Sequence, residues 1–425
     1  MSPHRFETLA LHAGHVVDQD TLSRAVPVYR TSSYLFKSSQ HAADLFSLKE
    51  LGNIYTRLMN PTQDVLEKRV AALEGGAAAL ALASGTAAIF YAIINICAAG
   101  DEVVAACNLY GGTYTQFDAI LPQLGITVRL VDPNDPANFD RAVNKKTRAI
   151  FCETIGNPGL EMTDLEALAA VANKHHLPLI VDSTFTPPCL LRPLEHGAAI
   201  VVHSLTKWMG GHGLAIGGIV VDSGTFDWTD PKFTLYNQPD AGYHGLRFAH
   251  DLGGMNSIAF ALRMRLVPLR NLGACISPDN CALFLQGIET LSLRMERHCV
   301  NALAVAKFLQ DHPKVDWVRY PGLSGEENRI ARKYLHNGFG GMVAFGIKGG
   351  REAGQRFIDS LKLFSLLANV GDAKSLAIHP ASTTHSQLST EQLATAGLSE
   401  SMIRLSVGIE NINDILEDLT QALTV

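Results

Sequence analysis

Between residues 78 and 222 the chain repeats one pattern, a short run of apolar residues that ends in a polar or turn residue, with helix-length stretches between several of the runs. The runs are AALALAS (78–84), EVVAAC (102–107), TVRLVD (127–132), RAIFCE (148–153), LPLIVDS (177–183), AAIVVHS (198–204) and GGIVVD (217–222). A strand that is apolar on both faces has no solvent side, so strands like these belong in a mostly parallel sheet covered by helices on both faces. The expected fold is α/β, with a mostly parallel seven-stranded sheet in a large domain and a smaller α+β domain after it.

The length of 425 residues exceeds what one core organises, about 250–300 residues, so more than one domain is expected. Residues 1–60 carry no strong period and read as an arm reaching a neighbouring subunit. Residues 61–275 read as the large domain, with an aromatic, turn-rich insertion near 225–250. Residues 276–425 read as the carboxy-terminal domain, opening with a continuous helical run from Ser277 to the break at Pro313. Its expected strands are 342–347 and 404–407.

Charge narrows the function classes. Lys plus Arg number 35 against 41 Asp plus Glu, a formal charge of −6 without blocks of one sign, which argues against a nucleic-acid partner. Only 18% of residues are charged, which hints at surface covered by other subunits. The seven cysteines are scattered, with no CxxC pair and no histidines at metal spacing, as for reduced thiols in a cytoplasmic protein without a metal. The first thirty residues hold no apolar segment of signal-peptide length. Residues 75–100 are uncharged, but Ser84-Gly85-Thr86 and Asn95 interrupt them, so a strand, a turn and a buried helix are expected there and no membrane span.

In an open parallel sheet, ligands bind beyond the carboxyl ends of the strands. Ser84-Gly85-Thr86 follows the first run and opens a helical stretch, either a phosphate seat or an ordinary strand-to-helix turn. Tyr110 follows the second run, where its ring could stack on a flat cofactor or cap the core. Asn157, before Pro158, could be a ligand or a plain turn residue. Asp182 ends an apolar run; a carboxylate there could hold a proton on a heterocyclic nitrogen, cap a helix or bind a metal. The strongest signal is VVHSLTKWMGGHGLAIGG, in which Lys207 follows a strand among glycines, with the hydroxyls of Ser204 and Thr206 beside it. Desolvation lowers a lysine pKa and frees the amine as a nucleophile. An amine for an aldehyde, donors for a phosphate and an acid for a ring nitrogen are together what pyridoxal 5'-phosphate needs. The formal S-x-x-K match to penicillin-binding proteins lacks its later K-T-G, and no Walker A loop is present.

The motifs YTRLMNPT (55–62), SGTAA (84–88), LYGGTY (109–114), ETIGNP (153–158), VDSTF (181–185), HSLTKWMGGHG (203–213) and RLSVGIE (404–410) resemble the Cys/Met-metabolism group of pyridoxal-phosphate enzymes from about residue 6 to the end. Within the group, ANVGDAKSLAIHPASTTH (368–385) and the insertion around DAGYHGL (240–246) look like the branch of sulfhydrylases acting on O-acetylhomoserine. The resemblance implies fold type I of pyridoxal-phosphate-dependent transferases. It implies that Lys207 binds the cofactor covalently and shuttles protons, that Asp182 pairs with the ring nitrogen, that Tyr110 stacks on the ring and that Asn157 bonds its 3-oxygen. Ser84, Gly85, Thr86, Ser204 and Thr206 would hold the phosphate from one chain, and Tyr55 and Arg57 from the neighbouring chain, in a homotetramer built of active-site-sharing dimers.

Arg404 would clamp the substrate carboxylate, with Asn369 and Tyr55 nearby. The alternation in MIRLSVGIE supports this by placing Arg404 on the polar face of a strand, the competing reading being a solvent-facing arginine on an edge strand. Asn369 departs from the serine found in lyases and cystathionine synthases of the group. The implied reaction is γ-replacement, in which O-acetyl-L-homoserine and sulfide or a small thiol give L-homocysteine or methionine and acetate, with the aromatic insertion as a cover against water. The alternatives are O-succinylhomoserine sulfhydrylase, cystathionine γ-synthase, and methionine or cystathionine γ-lyase.

Overall fold

A computed structural model describes residues 4–383 and 399–424, so Thr384 and His385, which close the segment 368–385, lie outside the described residues. All seven apolar runs form strands: β1 (Ala78–Leu82), β2 (Glu102–Ala106), β3 (Thr127–Val131), β4 (Thr147–Glu153), β5 (Leu179–Asp182), β6 (Ile200–Ser204) and β7 (Gly218–Asp222). They make one sheet in the order β1-β7-β6-β5-β4-β2-β3, parallel except for β7, which runs antiparallel to both its neighbours. Helices cover both faces, which is why these strands read as unbroken apolar runs; only β3, at an edge, is partly exposed along its length.

Local chemistry sets the helix starts. Asn60 accepts the Thr62 N–H with Pro61 in the first turn, Ser84 accepts the Ala87 N–H, and Asp164 accepts the Ala167 N–H, opening the helices Pro61–Glu74, Gly85–Ile94 and Leu165–Lys174. Residues 75–100 thus hold β1, a turn and a buried helix, and among the described residues no helix is long and apolar enough to cross a membrane.

The second sheet has five strands, β8 (Val315–Arg319), β9 (Met342–Ile347), β10 (Ser365–Leu366), β11 (Leu376–Ile378) and β12 (Met402–Ser406), in the order β10-β11-β12-β9-β8. Only β9 and β12 were legible in sequence: β10 and β11 are too short to show a period, and charges interrupt β8. The helical run from Ser277 is two helices, Pro278–Glu289 and Leu291–Gln310, not one. At the break the Arg294 guanidinium donates to the Gly287 carbonyl at 2.7 Å and to the carbonyls of Trp208 and Met209, tying the end of the first helix to the glycine-rich loop after β6.

The amino-terminal residues are not featureless. They hold the helices Phe6–His12 and Ser39–Phe46, joined by chain that leaves Val16, Leu22 and Leu35 exposed, the last at 98%. The aromatics of the insertion pack into the main core: Trp228 stacks on Tyr236 and on Phe260, just beyond the insertion, at centroid separations of 4.4 and 5.5 Å, and the Tyr236 hydroxyl accepts from Asn95. The insertion starts after Asp222, the end of β7 that faces the amino-terminal ends of the parallel strands.

Candidate functional site

The strands β1, β2, β4, β5 and β6 all end on one cavity of about 270 Å³, closed from the other side by β12 and by the chain between β10 and β11. Ser84, Gly85, Thr86, Tyr110, Asn157, Asp182, Ser204, Thr206, Lys207, Asn369 and Arg404 all line it. These residues span 320 positions of sequence, and the topology of two sheets brings them together.

At one end, the helix Gly85–Ile94 points its amino terminus into the cavity. The Ser84 Oγ lies 3.1 Å from the Thr86 Oγ1, and Ser204 and Thr206 face them from the end of β6. Glycine is required for this approach: a Cβ on Gly85 would lie 2.6 Å from the Ser204 Cβ, and one on Gly218 would lie 2.1 Å from the Ser84 carbonyl oxygen. Hydroxyls and free N–H groups converging on a helix start make a seat for a phosphate.

At the other end, Lys207 is half-buried and its amine is pushed down to about 8, by desolvation first and by the charge of Arg404 second. Its Nζ donates to the Asn369 Oδ1 at 2.5 Å. Asp182 ends β5, and its Oδ1 accepts from the Thr184 N–H and hydroxyl at 2.9 and 2.6 Å. Burial raises its pKa, against these bonds. No helix follows it, so it is not a helix cap, and among the described residues no cluster of three or more His, Cys, Asp or Glu could hold a metal.

Tyr110 starts the short helix Gly111–Thr115, and its ring lies half exposed over the position of Gly112, where a Cβ would come within 2.6 Å of the ring. Its N–H donates to the Glu153 Oε1 at 2.7 Å. Arg404 is not on an edge: β12 lies between β11 and β9, and the guanidinium donates to the Asn157 Oδ1 at 2.9 Å. Burial pushes Arg404 down to about 10.

Two expectations fare differently. Tyr55 and Arg57 lie away from their own chain's cavity, with the Arg57 guanidinium over the Tyr55 ring at 5.3 Å and donating to the Arg270 carbonyl. No residue of the insertion lines the cavity, because its aromatics pack into the main core beyond β7; in its own chain it is not a cover over this site. Glu153 was missed. It ends β4 as Asp182 ends β5, and the same signal, a carboxylate closing an apolar run, was there to find it.

The chain matches the family described as Cys/Met metabolism PLP-dependent enzyme over residues 7–424. It is 57% identical to the O-acetyl-L-homoserine sulfhydrylase of Leptospira meyeri, covering 98% of this chain and 96% of that protein. It is 53% identical to O-acetyl-L-homoserine sulfhydrylase 1 of Thermus thermophilus, covering 99% and 100%. Among solved structures, a protein described as a putative O-acetylhomoserine (thiol)-lyase from Campylobacter jejuni, with a pyridoxyl-lysine monophosphate, superposes with a TM-score of 0.95 at 42% identity, covering 99% of this chain and 100% of that one.

Proposed function

Because the chain belongs to the Cys/Met-metabolism family of pyridoxal-phosphate-dependent enzymes, we propose that it catalyses γ-replacement on O-acetyl-L-homoserine, exchanging the acetate ester at Cγ for sulfide to give L-homocysteine and acetate. The observation that carries the assignment to residues is the Lys207 amine, half-buried and with its pKa lowered, in one cavity with a helix amino terminus, a buried aspartate and a half-buried arginine.

The cavity fits the cofactor. The pinched backbone at Gly85 and Gly218 leaves hydroxyls and N–H groups for a phosphate, and the buried carboxyl of Asp182 is available for a ring nitrogen. Bound pyridoxal phosphate supplies an aldehyde that an amine can capture and a ring that takes up negative charge from the carbon next to that nitrogen. Lys207 would hold the cofactor at rest, and its neutral Nζ, when free, would be the base for the Cα proton and the carrier that returns a proton later. Asp182, as an anion, would keep a proton on the ring nitrogen. The Tyr110 ring would lie against the cofactor, and Asn157, which accepts from Arg404 and orients it, would bond the cofactor's 3-oxygen. Arg404 receives the substrate carboxylate in a forked contact, Asn369 keeps the Lys207 amine in reach of the substrate, and Tyr55 of the neighbouring chain completes the substrate site. The Cγ–O bond breaks with the electron pair leaving on acetate, and the Cγ–S bond forms with the pair of hydrosulfide.

Tyr55 and Arg57, outside their own cavity, reach the phosphate of the neighbouring chain in this reading, so the working unit is a dimer, paired into a homotetramer. The exposed apolar side chains of Val16, Leu22, Leu35 and Leu51 support it, since apolar surface of this kind is usually covered. The free cysteines agree with a cytoplasmic location, where thiols stay reduced.

A product assay tests the substrate. The purified enzyme is given O-acetylhomoserine and O-succinylhomoserine, each with sulfide, methanethiol or cysteine, and methionine alone. Homocysteine formed fastest from the acetyl ester and sulfide is the expected result. Cystathionine as the main product, or methanethiol release from methionine, would overturn it.

A further inference from the structure

Glu153 is buried in the cavity, and none of the roles above uses it. The parallel register of β4 and β5 pairs it directly with Asp182, so the two carboxyls leave the sheet on the same side as neighbours. The cations of the cavity are committed elsewhere, Lys207 to Asn369 and Arg404 to Asn157. Two adjacent carboxylates out of water cannot both ionise cheaply, so one of them keeps a proton.

Their hydrogen bonds decide which. Asp182 accepts two bonds from Thr184, both of which favour its anion, whereas Glu153 accepts one, from the Tyr110 N–H. His203 on β6 also favours the charged Asp182, while Cys152, beside Glu153 on β4, is a buried thiol held neutral and brings no charge to the pair. We propose that Glu153 is the proton-bearing member of a carboxyl pair with Asp182, a positioning residue that leaves Asp182 as the anion for the ring nitrogen and fixes Tyr110 through its backbone N–H. Burial and the neighbouring Asp182 both drive the Glu153 pKa upward, in the same direction.

The proposal rests on the cofactor reading, and the test separates the two. Turnover of O-acetylhomoserine with sulfide by the wild-type holoenzyme tests the reading itself. Infrared spectra of the holoenzyme at neutral pH then test the proton: wild type shows a protonated-carboxyl band that Glu153→Gln lacks. An amide mimics a neutral carboxyl, accepting from the Tyr110 N–H and donating to Asp182. Glu153→Gln therefore keeps kcat within about threefold of wild type with an unchanged pH profile, while Glu153→Leu, which can do neither, loses roughly tenfold or more in kcat with KM little altered. A band that survives in Glu153→Gln, or a Glu153→Gln enzyme as impaired as Glu153→Leu, would overturn the proposal, and the infrared result stands even where Glu153→Leu does not fold.

Discussion

The Nζ of Lys207 and the Oδ1 of Asn369 lie 2.5 Å apart although 162 positions separate them in sequence. Lys207 follows β6 of the large sheet, and Asn369 lies between β10 and β11 of the small one, so this bond ties the nucleophile of one sheet to the loop of the other. A bond to an ammonium favours the charged amine and limits its wandering when the cofactor is not holding it.

Asn369→Ala should therefore lower kcat by about 10–100-fold, the cost of losing a hydrogen bond to a charged group, while KM for the ester changes little. Steady-state kinetics decide it. An equal fall in Asn369→Ala and Asn369→Asp would point to lost packing instead of a lost acceptor.

The lowered pKa of Lys207 has a pH signature of defined sign. Only the neutral amine captures the aldehyde, so with a pKa of about 8 the rate at which the cofactor-free enzyme takes up pyridoxal phosphate should fall about tenfold for each pH unit below that value. Stopped-flow absorbance measures it. Because the pKa in the fold lies below that of the unfolded chain, the unfolded chain binds more protons between about 8 and 10.5, and the stability of the cofactor-free protein should rise with pH across that window.

Much of this site was legible in the residues themselves. The seven apolar runs, the lysine among glycines at 207 and the aspartate closing the run at 182 are local signals with a direct physical meaning. Other features depend on residues remote in sequence. At the break at Thr290, Arg294 reaches back to Gly287 and across to the loop after β6, contacts that no periodicity records. The insertion at 226–248 reads as a cover only until its rings are seen stacked on Phe260, at the opposite end of β7 from the cavity. Glu153 was readable by the rule that singled out Asp182, but its meaning needed the pairing of β4 with β5.

Arg404→Ala should raise KM for O-acetylhomoserine by about 10–100-fold with a smaller effect on kcat, since a forked guanidinium–carboxylate contact is a charge-assisted bond. Arg404→Lys should recover only part of this, because an ammonium cannot bond both carboxylate oxygens in the same plane and also hold Asn157. Full activity in Arg404→Lys would remove the clamp from the account.

Tyr55 and Arg57 act across the subunit boundary in this account, so defects on different chains should complement. Arg57→Ala and Lys207→Ala proteins, each inactive or nearly so, should regain roughly a quarter of wild-type activity when co-folded as mixed oligomers, because half of the dimers are mixed and each of these holds one intact site. Mixtures that stay inactive would place Arg57 in the site of its own chain.

In this reading the amine of Lys207 carries the cofactor and moves the protons, and the absorption spectrum and turnover of Lys207→Ala measure both roles. The account predicts a folded protein without the visible band of lysine-bound cofactor and with kcat reduced by about 10³-fold or more. A Lys207→Ala enzyme that kept both the band and wild-type turnover would contradict it.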